Sequence, residues 1–412
     1  MHHFQHKNGT LHAEDLSVKE LADRFGTPMY IYSAATLRRH FQAFDSAFES
    51  IPHLTCYSVK ANSNLAILKL LASMGAGMDI VSGGELYRAL LAGVPASKIV
   101  YSGVGKKPEE IRQALAAGIL MFNVESMQEL VRINDVARDM GKVAKVSFRI
   151  NPDVDPKTHP YISTGMKKNK FGLNIDHSLE AYKLARDLPA IEPVGMDCHI
   201  GSQLTTIEPF LEALDKLLGF YEQLKSLNLD IKYLDLGGGL GIPYNDEEPP
   251  HPADFGAALT KSLKGLPLSI VLEPGRVIVG NAGILVAEVQ YVKQTPSKNF
   301  VIVDAAMNDL VRPSLYGSFH RIDEVEQQGR APFDCDVVGP ICESGDFLAK
   351  DRQLAEVRQG ERLAVYSAGA YGFTMSSNYN SRPRACELLV DGDQVTVARR
   401  RETFESLVAH EI

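Results

Sequence analysis

The chain has 412 residues, 45% of them apolar and 23% charged. These are ordinary globular proportions, enough for two domains of usual size, and they exclude a disordered or fibrous protein. The net charge of −8 gives no general attraction to nucleic acid or anionic membrane, so any anionic ligand must be held by a local site.

The start, Met1-His2-His3-Phe4-Gln5-His6-Lys7, lacks the apolar stretch of a signal peptide. The longest apolar runs, such as 266–272 and 283–289, fall far short of the roughly 20 residues of a membrane span. A cytoplasmic protein without membrane contact is expected. Residues 28–32 read as a first strand. From 55 to 275 short β-rich runs alternate with segments of helical period. The runs are 55–60, 77–82, 99–102, 120–125, 145–150, 194–200, 233–236 and 269–273, rich in Val, Ile, Tyr or Phe as buried parallel strands are. Between them Ser63 is placed to cap one helix, and Pro108 with Glu109 and Glu110 to open another. Ser126 and Glu129 have capping-box spacing before a helix that Gly141 closes. Residues 207–227 carry an apolar stripe.

Eight β/α alternations predict a (β/α)₈ barrel, whose chemistry sits at the C-terminal strand ends. After 275 the helical period fades. Runs at 286–292, 300–303, 333–338, 362–366, 385–389 and 394–399 read as strands, with an Asp391-Gly392 hairpin turn. The expected organisation is α/β plus all-β: a barrel domain over 35–280, and a β-sandwich or barrel domain over 1–34 and 281–412 that takes in the N-terminal strand. Residues 245–252, rich in proline and acids, are expected as a loop inside the barrel. The cysteines, Cys56, Cys198, Cys335, Cys342 and Cys386, are irregularly spaced, which suits reduced thiols and gives no zinc pattern.

Four strand ends carry chemistry. Lys60 ends the first strand; a lysine desolvated there can react as a free amine, although a solvated surface lysine is the commoner case. His199-Ile200-Gly201-Ser202 follows the sixth, offering a ring to stack on an aromatic group and a hydroxyl for phosphate. Gly237-Gly238-Gly239-Leu240-Gly241 follows the seventh, where barrels often bind phosphate. Glu273-Pro274-Gly275-Arg276 follows the eighth; a carboxylate there needs a cation, which a protonated cofactor ring or Arg276 itself can supply. An amine, an anion cradle, a stacking histidine and a carboxylate are what pyridoxal phosphate requires. Farther on, Arg312 joins Arg276 as a candidate grip for a substrate carboxylate.

The motifs Tyr57-Ser58-Val59-Lys60-Ala61-Asn62, His199-Ile200-Gly201-Ser202-Gln203, Gly237 to Gly241, Glu273 to Arg276 and Cys342-Glu343-Ser344-Gly345-Asp346 resemble those of the fold-type III pyridoxal-phosphate decarboxylases. Within that group the chain is similar to the diaminopimelate decarboxylases, from Gly26-Thr27-Pro28 to Ala385-Cys386-Glu387. The resemblance implies that Lys60 holds pyridoxal 5′-phosphate as an aldimine. It implies that Ser202, Gly239, Gly275, Arg276 and Tyr371 bind its phosphate, that His199 stacks on its ring, and that Glu273, beside Pro274, pairs with its ring nitrogen. Arg276, Arg312, Tyr316, Glu343 and Tyr371 would contact substrate. Cys342 would donate a proton from the partner subunit of a homodimer with shared active sites.

The implied reaction takes meso-2,6-diaminopimelate to L-lysine and CO₂, the last step of lysine biosynthesis. A related decarboxylase of ornithine, arginine or carboxynorspermidine is the alternative. Glu273 argues against a racemase of the same fold, which places an arginine there. The presence of Lys60, His199, Glu273 and Cys342 argues against a regulatory relative without cofactor.

Overall fold

The computed structural model describes residues 2–155, 164–165 and 170–411. The chain forms two compact units. One comprises Phe41–Ile242 with Glu248–Val277; the other comprises Met1–His40, Pro243–Glu247 and Ile278–Ile412.

The first unit is a closed parallel barrel of eight strands. They are β1 (His53–Ser58), β2 (Gly77–Ile80), β3 (Ile99–Tyr101), β4 (Met121–Val124), β5 (Ala144–Asn151), β6 (Ile191–Asp197), β7 (Tyr233–Asp235) and β8 (Ser269–Leu272). Pairing of Ile270, Val271 and Leu272 with His53, Leu54 and Thr55 closes the ring. Cys56, Val100, Leu120, Met121, Val194 and Val271, drawn from across the ring, pack as one buried apolar cluster. Side chains from both faces of these strands are buried, which is why the strands read as nearly continuous apolar runs.

All eight predicted strands are present, but several stop before the predicted reactive residue. Lys60 sits in a short 3₁₀ turn, Val59–Ala61, and His199 lies two residues past β6. Backbone bonds carry on across these ends: Ser58 N–H donates to Pro274 O (3.0 Å), and Glu273 N–H to Gly237 O (2.7 Å). The loops are therefore fixed to one another beyond the strands.

Two helix starts differ from expectation for local reasons. Asn62 Oδ1 accepts from Asn64 N–H (3.0 Å), so the chain turns one residue later and Asn64, not Ser63, caps Leu65–Ser73. Ser126 does cap Met127–Asp139, but Glu129 reaches past it to Glu125 N–H (2.8 Å) and binds the buried Lys106 ammonium (2.6 Å).

In the second unit the strand Met29–Ser33 is wholly buried. It runs antiparallel to Gly283–Gln294 and parallel to Cys386–Asp391. Its core includes Met29, Ile31, Ile284, Val286, Ala364 and Leu388. The Asp391-Gly392 turn leads into Gln394–Arg399, with Gly392 at φ +61°. Residues 243–247 belong to this unit. The sequence reading misses Phe347–Ala355, which among the described residues pairs only with Pro332–Val338. Lys350, Asp351 and Arg352 interrupt its apolar pattern, as an edge strand tolerates and a central one does not. It also misses the short meander Phe4–Lys7, Thr10–Ala13 and Leu16–Ser17.

Candidate active site

At the C-terminal end of the barrel strands, Lys60 is neither desolvated nor fully solvated. Its side chain is 35% exposed, and Nζ lies 2.8 Å from Oδ2 of the fully buried Asp79. That oxygen also accepts from Ser58 Oγ at 2.6 Å. Asp79 thereby ties the lysine to the second strand.

Glu273 is buried, and its Oε1 accepts from Ser102 Oγ (3.3 Å) and Asn123 Nδ2 (3.4 Å). The same Asn123 amide donates to Ser102 Oγ and to Asp235 Oδ2, both at 3.1 Å. Asp235 Oδ1 accepts from Gly237 N–H at 2.9 Å, fixing the start of the glycine loop. Burial, then the charge of Asp235 and Asp79, pushes the Glu273 carboxyl well above the usual range. Burial, then Asp197, pushes Asp235 up to about 8, and burial, then Glu273, raises Asp197 too. Asp79 Oδ1, Asp197 Oδ1 and Asn123 Oδ1 are buried without a hydrogen-bond partner among the described residues. The cluster is rich in acceptors and short of positive charge.

His199 Nδ1 accepts from Gly238 N–H at 3.1 Å, so its proton is on Nε2. Burial, then the Arg149 and Lys60 charges, holds its pKa well below the usual value, and the ring is neutral. Its backbone carbonyl accepts from Arg149, which pairs at 2.9 Å with the buried Glu125. A Cβ at Gly238 would lie 2.1 Å from the Glu273 carbonyl oxygen, so no side chain fits there, and Gly239 is at φ +119°. Arg276 is buried and donates to Ser202 Oγ at 3.0 Å, joining a cation and a hydroxyl from two loops beside the glycines. Pro274 and Gly275, which precede Arg276 in the chain, are also buried.

The β unit holds the remaining candidates. Arg312 and Tyr316 bound one short helix, Arg312–Tyr316. Cys342 and Glu343 lie exposed in the 339–346 loop. Asp346 anchors that loop, accepting from Ile341 and Met307 N–H groups, both at 2.7 Å. Ser314 Oγ donates to Gly345 O (2.6 Å), linking the loop to the Arg312 helix. Tyr371 stands on a separate turn at φ +55°, a strained conformation for a tyrosine.

No motif in the sequence points to Arg149, Asp79, Asn123, Asp197 or Asp235. One signal was available: a polar residue inside a short apolar strand that is buried on both faces, as Asp79 is in Gly77–Ile80 and Asn123 in Met121–Val124.

Such a barrel end, with an amine, a glycine-lined loop and a buried carboxylate, defines the chain as a pyridoxal-dependent decarboxylase: residues 34–280 match the family described as Pyridoxal-dependent decarboxylase, pyridoxal binding domain. The diaminopimelate decarboxylase of Haemophilus influenzae is 56% identical over 100% of this chain and 99% of its own. Similar solved structures include the Helicobacter pylori diaminopimelate decarboxylase complexed with L-lysine (TM-score 0.93, 45% identity, 95% of this chain and 98% of that one). The M. jannaschii diaminopimelate decarboxylase in co-complex with L-lysine is another (TM-score 0.95, 41% identity, 99% and 97%). The chain belongs to the diaminopimelate decarboxylase family.

Proposed function

We propose that this protein uses pyridoxal 5′-phosphate to decarboxylate meso-2,6-diaminopimelate, giving L-lysine and CO₂ as the last step of lysine biosynthesis. The observation that carries the reading is Glu273, buried in a group of carboxyls that outnumbers its cations, Lys60 and Arg149, and set beside a glycine-lined loop. The residues fit the cofactor. A protonated ring nitrogen answers the acceptor-rich cluster, and a phosphate answers Arg276, Ser202 and the glycines. Similarity to diaminopimelate decarboxylases over essentially the full length, with L-lysine in two relatives, supports the substrate.

In this reading Lys60 is the anchoring amine. Ser202, Gly239, Gly275, Arg276 and Tyr371 hold the phosphate. His199 presents a neutral ring face, and Glu273, flanked by Pro274, keeps a negative charge at the ring nitrogen. When bound, the cofactor supplies a conjugated sink for the electron pair left behind as CO₂ departs. Asn123 and Ser102 orient Glu273 so that its charge is already aimed. Arg276, Arg312, Tyr316, Glu343 and Tyr371 bind substrate. The Cys342 thiol returns a proton to the carbon that lost CO₂. We further propose a homodimer in which each chain lends Cys342 and Glu343 to its partner, and a cytoplasmic location, supported by five free cysteines that a reducing compartment keeps as thiols.

Product analysis tests the reaction. Holoenzyme given diaminopimelate, ornithine, arginine and carboxynorspermidine separately should release product only from the first, as L-lysine. Comparable turnover of another substrate would overturn the assignment.

A further inference from the structure

We propose that His320 is a positioning residue for substrate choice, holding the Arg312 guanidinium that receives the substrate's distal carboxylate. This rests on the reading of Arg312 given above.

His320 is completely buried. Its Nδ1 lies 2.8 Å from the backbone carbonyl oxygen of Tyr366, which can only accept, so Nδ1 carries the proton. In that neutral tautomer Nε2 is an acceptor, and Arg312 Nε donates to it at 3.3 Å. Arg312 is itself buried, and its Nη2 donates to Ser318 Oγ at 3.2 Å. The guanidinium carbon lies 4.9 Å from the Tyr244 ring centre and 5.8 Å from that of Tyr316. Tyr244 also packs edge-on against His320, with ring centres 5.3 Å apart.

The local chain path makes this possible. The helix Arg312–Tyr316 ends at Gly317, left-handed at φ +62°, and the chain turns back to bring position 320 beside position 312. The result is a guanidinium held by hydrogen bonds on one edge, with two aromatic rings beside it. A planar fork held in this way recognises a carboxylate by direction as well as charge. A ligand without that carboxylate draws nothing from the arrangement, so its effect is on selection and not on bond breaking.

A merely structural histidine, tying the turn to Tyr366, would make the same Nδ1 bond. Two inhibitors separate the roles, because L-lysine and 1,5-diaminopentane differ only by the carboxylate in question. His320→Phe keeps a ring against Tyr244 and removes both hydrogen bonds; His320→Met serves if the phenylalanine variant does not fold. His320→Gln restores one acceptor and one donor. In holoenzyme, the apolar variant should weaken L-lysine inhibition about tenfold or more, the scale of a lost bond to a charged group. It should raise KM for diaminopimelate by a similar factor. Inhibition by 1,5-diaminopentane, kcat and the cofactor absorbance band should stay as in the parent, and His320→Gln should recover most of the loss. Equal weakening of both inhibitors, no change in either, or failure of His320→Gln to recover would overturn the proposal. Arg312→Ala is the control. If it leaves the preference for L-lysine intact, the assignment of Arg312 falls and the proposal with it. If it abolishes the preference while His320→Phe does not, only the proposal falls.

Discussion

At the barrel end the polar side chains are buried and share partners: Asn123 alone donates to Ser102, Asp235 and Glu273. In the 339–346 loop of the β unit, Cys342 and Glu343 are exposed, and the loop is held instead through its backbone by Asp346 and Ser314. In the first region a side chain's chemistry and the stability of its surroundings cannot be altered separately. In the second they can, because Asp346 and Ser314 hold the loop, while the Glu343 side chain makes only a surface bond, from Tyr379.

The largest expected effect is that of Lys60→Ala, which removes the proposed anchoring amine. Turnover should fall roughly 10³-fold or more, about 4 kcal/mol of barrier. A pyridoxyl adduct mapped after borohydride reduction to any other residue would break the assignment. Glu273→Gln should lower kcat about 100-fold, near 3 kcal/mol, while cofactor binding suffers less. Because burial already favours the uncharged form of this carboxyl and Gln keeps its shape, the cofactor-free variant should melt no lower than the parent, a result a simple loop staple would not give.

Cys342→Ala sharpens the contrast. Loss of the proposed proton donor should cost about 100-fold in kcat. The thiol is exposed, so the melting temperature should not change. If the site is shared between chains, mixing inactive Lys60→Ala and Cys342→Ala proteins at equal ratio should restore roughly a quarter of parental activity, given random reassortment of a two-fold dimer. No recovery would show that each site is built from one chain.

Asp235 gives a pH test. In the folded chain its carboxyl stays protonated to about pH 8, and in the unfolded chain it ionises above about pH 4. The folded state thus binds the extra proton across that window, and the stability of cofactor-free protein should fall as pH rises through it. Between pH 6 and 8 the loss should be up to roughly 2–3 kcal/mol, and Asp235→Asn should flatten it. Urea unfolding at the two pH values checks this; equal slopes in parent and variant would remove Asp235 from the cluster. The smallest effect is expected from Tyr379→Phe. The lost bond from its hydroxyl to Glu343 Oε2 (2.9 Å) lies at the surface and should change stability by less than about 0.5 kcal/mol.

The barrel was legible because eight apolar runs each ended in small or charged residues, a local pattern. So was a strand at 28–32 belonging to the β domain, although the sequence does not reveal that it runs between Gly283–Gln294 and Cys386–Asp391. The edge strand Phe347–Ala355 was hidden by charges that only an edge permits. At the site, Lys60, His199, Ser202, Gly239, Glu273 and Arg276 stand in recognisable short motifs. Asp79 and Asn123 do not. Asp79 lies 19 residues from Lys60 and Asn123 lies 150 from Glu273, and they meet only because parallel strands close into a ring. No spacing rule along the chain encodes such a meeting.

The strand Met29–Ser33 has a consequence for the order of synthesis. It emerges among the first segments, yet one of its two partners is Cys386–Asp391, about 350 residues later. At roughly 5–20 residues per second that wait is about 20–70 s. Meanwhile every barrel strand, the last ending at Leu272, has left the ribosome. An early apolar segment, Met-Tyr-Ile-Tyr, therefore has to be kept from pairing with other nascent chains until translation is nearly complete. Crowded polysomes are where this protein is most exposed to aggregation, and slowing translation late in the message should lower its soluble yield more than slowing it early.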